Sequence, residues 1–249
     1  METPPYLLPF VAPTPETARE RHGSVDLYLP ASGEPRPAIL FVHGGPVPAD
    51  RTPTPRDWPV FVGYGSTAAA RGFVGATVDH GLRRLDDFRD ASRDIRNAVE
   101  LLRADPRIDR DRIVLWFFSG GAPLSGEWMR EAPPWLRGIA ATYPMIDLPV
   151  QVDGVDRPVD AVTAGGTTPI LVTRVGLERV LTAGDVVLDL PAAVERFLAA
   201  AGDRVTVIDV PHGRHGFDHL DDTDESRAAI AAAFDHVSRW LQHGSAERF

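Results

Sequence analysis

The sequence predicts an α/β fold with a mostly parallel central sheet covered by helices on both faces. Short apolar runs rich in β-forming residues alternate along the chain with segments of helical periodicity, the pattern of βαβ units. The chain has 249 residues, of which 43% are hydrophobic, enough for one large domain with a substantial core. Side chains able to do chemistry also recur just after the ends of the apolar runs, where sites form in parallel sheets.

Residues 1–23 read as a proline-rich N-terminal arm, with 1–20 irregular, and 24–249 as a single domain. Residues 24–29 alternate apolar with polar positions, a half-buried strand, and 38–42 are continuously apolar, a central one. Residues 43–58 form a long loop carrying Pro46, Pro48, Pro53 and Pro55, a length associated with function when ordered. Residues 66–71 predict a short helix with Ser66 as its N-cap and Gly72 as its stop. A strand over 73–78 leads to Asp79 and His80. The clearest helix spans 86–103, where Phe88, Ala91, Ile95, Ala98, Val99 and Leu102 fall on one face at three- and four-residue steps. Asp105-Pro106 ends it.

The run 112–118 is a buried strand, followed by Ser119, Gly120, Gly121 and a helix through 125–131. A strand over 136–143, an irregular stretch over 147–168 that is the one candidate lid, and a strand over 169–173 come next. A helix over 191–201, a strand over 205–210 and a helix over 225–241 complete the pattern.

Strand, sharp turn carrying serine, then helix is the layout of a nucleophile elbow, G-x-S-x-G. Here the positions read Phe117, Phe118, Ser119, Gly120 and Gly121, with phenylalanine in place of the first glycine. His43-Gly44-Gly45-Pro46 resembles the HGG-type oxyanion loop of esterases, lipases and the prolyl-oligopeptidase group. His215-Gly216-Phe217 resembles the histidine turn of dienelactone hydrolase-like esterases. From about residue 25 to 241 the chain therefore resembles the α/β-hydrolase superfamily, closest in style to small bacterial esterases. Dienelactone hydrolases proper use cysteine, and this chain has none, so the expected nucleophile is serine.

The resemblance implies a carboxylic-ester hydrolase acting through an acyl-enzyme, in the order Ser, Asp/Glu, His. Ser119 is the expected nucleophile and His215 the base, preferred over His212 and His219. Glu178 is the first candidate for the acid, ahead of Asp185 and Asp147. Gly120 and Gly45 are the expected oxyanion donors, Pro46 having no N–H to give. His43, Gly44 and Phe118 are candidate pocket residues. Strand alternation places Phe117 on the face opposite Trp116 and Phe118.

The small lid implies a small ester or lactone as substrate, and no cofactor is expected. Other chemistries stay open on the same fold: acyl transfer, cyclisation, elimination, or a non-catalytic relative with an inert Ser119. A metal site built on His212, His215, Asp218, His219 and Asp222 is a further alternative, against a solvated acidic turn over 221–225.

A net charge of −9 argues against nucleic acid or an anionic membrane as partner. No run approaches the roughly 20 apolar residues of a membrane span, and the first ten residues lack the basic start of a signal peptide. A cytoplasmic protein is expected. All 26 basic residues are arginine, which reads as codon bias in a GC-rich genome. Nothing in the sequence specifies the oligomeric state.

Overall fold

A computed structural model describes residues 3–31, 33–147, 155–183 and 186–242. Eight of the described strands form one sheet in the order β1-β2-β4-β3-β5-β6-β7-β10. They are β1 (Ala18–His22), β2 (Val25–Leu29), β3 (Arg36–Val42), β4 (Val74–Val78), β5 (Ile108–Phe118), β6 (Leu136–Thr142), β7 (Ile170–Val175) and β10 (Val205–Val210). From β4 to β10 neighbouring strands run parallel, while β1 and β2 are antiparallel additions at one edge. A separate hairpin, β8 (Val180–Ala183) with β9 (Val186–Asp189), follows β7.

The helices divide between the two faces. α2 (Phe88–Ala104) buries the six-residue stripe expected of it against Leu40, Val42, Ile113, Leu115 and Phe117. α5 (Leu190–Ala201) packs on the same face through Val194, Phe197 and Ala201. On the opposite face α1 (Pro59–Ala70) and α7 (Asp224–Gln242), the latter preceded by the single turn α6 (Phe217–Leu220), cover Ile39, Phe41, Val114, Trp116 and Phe118. The alternation along β5 thus sends Phe117 to one core and its neighbours to the other, as a pleated strand must. Trp116 satisfies its buried indole N–H on the Thr142 hydroxyl at 2.8 Å.

Several elements differ from the sequence reading. Residues 18–22 are not part of an irregular arm but strand β1, so the sheet begins before residue 24. Their apolar pattern is absent because the strand is held by charge. Arg21 makes two 2.9 Å hydrogen bonds to the buried carboxylate of Asp26 on β2, directly across the ladder.

α1 starts at Pro59, about two turns before the expected 66–71, and Ser66 lies buried inside it rather than at its cap. The helix is buried on most sides, so no polar face marks it. A Cβ on its Gly65 would collide with the Tyr28 ring, so glycine is kept there for close packing despite its low helix propensity. α3 (Gly126–Glu131) follows Ser119 only after a 3₁₀ stretch over Ser119–Ser125. Within the expected irregular segment, Pro158–Thr163 forms α4, which buries Ala161 and Val162 in the α2-side core. Residues 148–154 of that segment lie outside the described residues. No described helix is long and apolar enough to cross a membrane.

Candidate active site

Three strand ends converge at one end of the sheet. β5 delivers Ser119 at its last residue plus one, with φ +48°. This left-handed conformation is uncommon outside glycine and costs on the order of 1 kcal/mol. It turns the chain sharply, so that the hydroxyl stands clear of the sheet. The turn fits against the loop after β3. A Cβ on Gly121 would collide with the His43 carbonyl, and one on Gly120 with the Gly45 carbonyl. The two positions after the serine must therefore be glycine, whereas the position two before it need not be. Phe117 is fully buried in the α2-side core and does not face the turn.

The ends of β7 and β10 are laced together. Gly176 N–H donates to the Val210 carbonyl at 2.9 Å, and Leu177 N–H to the Gly213 carbonyl at 3.0 Å. This brings Glu178 beside the turn that carries His215. That turn is fixed in its own right: the Asp221 carboxylate accepts from Arg214 N–H at 2.7 Å and from Arg214 Nε at 2.6 Å. Ser119 Oγ lies 2.6 Å from His215 Nε2, and His215 Nδ1 lies 2.7 Å from Glu178 Oε2. The other Glu178 oxygen accepts from the Arg179 N–H at 2.9 Å. A carboxylate can only accept, so Nδ1 carries the proton and Nε2 is free to accept from the serine hydroxyl.

The other acid candidates stand apart. Asp147 is engaged by Arg157 at 2.6 Å and Arg196 at 3.0 Å. Asp185 lies outside the described residues. The alternative metal ligands are also dispersed. His212 faces Glu225, Asp222 pairs with Arg227, and Asp218 is held by Tyr143 and His219. No group of three or more metal-ligating side chains gathers among the described residues.

A cleft of about 280 Å³ opens over Ser119 and His215, lined by Gly44, Gly45, Phe118 and Tyr143 among others. Gly44 sits close enough that an added Cβ would lie 2.9 Å from Ser119 Cβ. Among the described residues no backbone group accepts from the Gly44 or Gly45 N–H.

The expectation that His43 lines this cleft is not met. Its ring is buried, stacked at 3.7 Å on His80, and borders a neighbouring pocket shared with Asp79 and Asp94. His80 Nε2 bonds the His43 carbonyl at 2.9 Å, so the stacked pair shapes the loop from behind.

Burial pushes both imidazoles below their ordinary value, His43 the further. In the unfolded chain both protonate near pH 6.5. The unfolded state then binds more protons, and stability falls with pH below that point until the folded-state values are reached. The urea midpoint is therefore expected to drop between pH 7.5 and 5.5. A midpoint that is constant or rising across that window would show that the pair does not titrate with unfolding.

Beneath His215 lies a polar cluster that the sequence did not announce. The fully buried Asp218 carboxylate accepts from the Tyr143 hydroxyl at 2.8 and 3.0 Å and lies 3.0 Å from His219 Nδ1. Burial, with the Asp218 charge, pushes the hydroxyls of Tyr143 and Tyr64 well up. The Tyr143 ring lies 4.8 Å from that of His215 and supports it. Tyr143 directly follows β6, so its place at a strand end was the one signal that could have marked it.

A mostly parallel sheet covered on both faces, with a left-handed serine after a central strand and a histidine after the last one, is the α/β-hydrolase fold. Comparison with known proteins agrees. Residues 25–126, which include the His43 loop and Ser119, match the BD-FAE family model. No curated protein sequence matches the chain. Among solved structures, the apo form of Thermogutta terrifontis esterase 2 superposes with a TM-score of 0.66 at 17% identity, covering 95% of this chain and 100% of that one. The same esterase phosphorylated by paraoxon gives 0.65 at 18% identity over 88% of this chain and 91% of that one. EstE1, a thermophilic carboxylesterase cloned from a metagenomic library, gives 0.67 at 16% identity over 93% and 91%.

Proposed function

We propose that this chain is a serine carboxylic-ester hydrolase for small esters or lactones. The observation that carries the reading is the unbroken hydrogen-bonded chain Ser119–His215–Glu178, at 2.6 and 2.7 Å, whose first two members line a cleft. Ser119 Oγ attacks the ester carbonyl carbon as its proton passes to His215 Nε2. Glu178 holds the ring in that tautomer and stabilises the imidazolium that forms. The N–H groups of Gly120 and Gly45 receive the oxyanion, each worth about 2.7–4 kcal/mol in the transition state. Collapse expels the alcohol, which takes the proton from His215. Water, deprotonated by the same base, then releases the acid.

Similarity of fold to an esterase phosphorylated by paraoxon and to a carboxylesterase supports this reading. Phe117 faces the core and not the cleft, so the departure from G-x-S-x-G leaves the reacting groups unaltered. A cytoplasmic place of action and a single domain belong to the same proposal.

The test is labelling with a fluorophosphonate followed by peptide mapping. The reagent is expected on Ser119, with labelling slowed in His215→Ala. A folded sample that takes up no reagent, or takes it up elsewhere, would remove the nucleophile from the proposal.

A further inference from the structure

One wall of the cleft over Ser119 is contributed by Tyr6, near the start of the described chain. Tyr6, within the 3₁₀ turn Pro5–Leu7, lines the same cleft as Ser119 and His215, together with Trp58 and Phe61. It is held there from two sides. Its ring lies 5.0 Å from that of Trp58, and the Arg51 guanidinium sits 4.8 Å above it while donating to its hydroxyl at 3.2 Å.

The segment behind Tyr6 is anchored as firmly. Phe10 is buried in the α7-side core, 4.9 Å from the Tyr64 ring, and its side chain occupies the space a Cβ on Gly63 would need. Val11 N–H donates at 2.9 Å to the carbonyl of Asp218, three residues beyond His215. The arm therefore joins the histidine turn to the loop over 46–58 and spans the opening between them. None of the described residues of 155–168 lines this cleft.

We infer that Tyr6 is a specificity-determining residue: the N-terminal segment roofs the cleft and limits the length of the apolar group that an ester can place beside Ser119, with Arg51 as the residue that positions the roof. This rests on the hydrolase reading above. A cleft of about 280 Å³ is at the small end for ligand sites. Removing a phenol ring from its wall lengthens the slot. Tyr6 touches neither Ser119, His215 nor Glu178 through any described hydrogen bond, so its effect falls on selectivity more than on the chemical step.

The experiment uses the full chain and two ester series, p-nitrophenyl esters from acetate to octanoate and acetate esters of alcohols from methyl to octyl. In one of the series, Tyr6→Ala is expected to raise kcat/KM for the longest member relative to the shortest by about tenfold or more, the scale on which pocket size discriminates substrates. Tyr6→Phe keeps the ring and should keep the wild-type ratio. Arg51→Ala should shift the ratio the same way by a smaller factor, and should add nothing in the Tyr6→Ala background. An unchanged ratio in both series for a Tyr6→Ala protein that melts normally and still takes fluorophosphonate on Ser119 overturns the roof while leaving the hydrolase intact. Additive shifts from the Arg51 and Tyr6 substitutions overturn the positioning role. No turnover and no labelling in wild type overturns both readings together.

Discussion

Ser119→Ala is expected to fold as the parent does and to lose ester turnover by roughly a millionfold in kcat, the scale for removing the nucleophile of a serine triad. The substitution leaves Cβ in place, so the left-handed backbone at φ +48° is no worse for alanine than for serine. What is lost is the hydroxyl and its hydrogen bond to His215 Nε2. The proposed oxyanion donors, the N–H groups of Gly45 and Gly120, remain, and with substrate binding they should sustain a residual rate of about 10³–10⁴ over water. The measurement is kcat on p-nitrophenyl acetate beside the melting temperature. A variant that keeps its activity to within tenfold would place the nucleophile elsewhere.

Glu178→Gln should cost about 10⁴ in kcat, the effect of losing the carboxylate that sets the histidine tautomer. Glu178 Oε2 fixes His215 Nδ1 as the protonated nitrogen. An amide can turn its NH₂ toward Nδ1 instead, which moves the proton to Nε2 and leaves no acceptor for the serine hydroxyl. Binding is little affected, because Glu178 does not line the cleft. Asp147→Asn is the matched control. That carboxylate serves Arg157 and Arg196, so its loss should leave kcat unchanged. A loss below tenfold in Glu178→Gln, with inactivation in Asp185→Asn, would transfer the role to Asp185.

Much of this architecture can be read from the chain because its largest elements obey local rules. The stripe on α2, the apolar runs of β3 and β5 and the strand-end positions of Ser119 and His215 are all set by side-chain period. Elements escaped that reading where tertiary context replaced period. β1 is held by arginines reaching Asp26 and so shows no apolar alternation. α1 is buried on most sides and carries glycines for close packing, so it lacks the polar face by which a helix is recognised. The hairpin β8–β9 is short, and Val180 and Val187 on it are exposed.

At the site, the groups proposed to carry the chemistry, and the cleft residues Gly44, Gly45 and Phe118, were legible from motif and order, while the aromatic residues from elsewhere in the chain were not. Tyr6, Trp58 and Tyr143, spread over more than a hundred residues of sequence, line one cleft only through tertiary structure. His43 illustrates the reverse: its motif was legible, but the ring turned behind the loop to stack on His80.

Three described residues other than glycine have positive φ: Ser119, Ala132 and Tyr143. Ala132 ends α3, where a left-handed residue is the usual way to stop a helix. The other two border the cleft. Backbone tension outside helix ends is thus concentrated where the proposed chemistry occurs. Selection for durability alone would relax both positions to glycine and discard the hydroxyl and the phenol together. Improving this molecule's thermal endurance should therefore begin away from these two positions, where glycine would ease the backbone only by removing side chains that border the cleft.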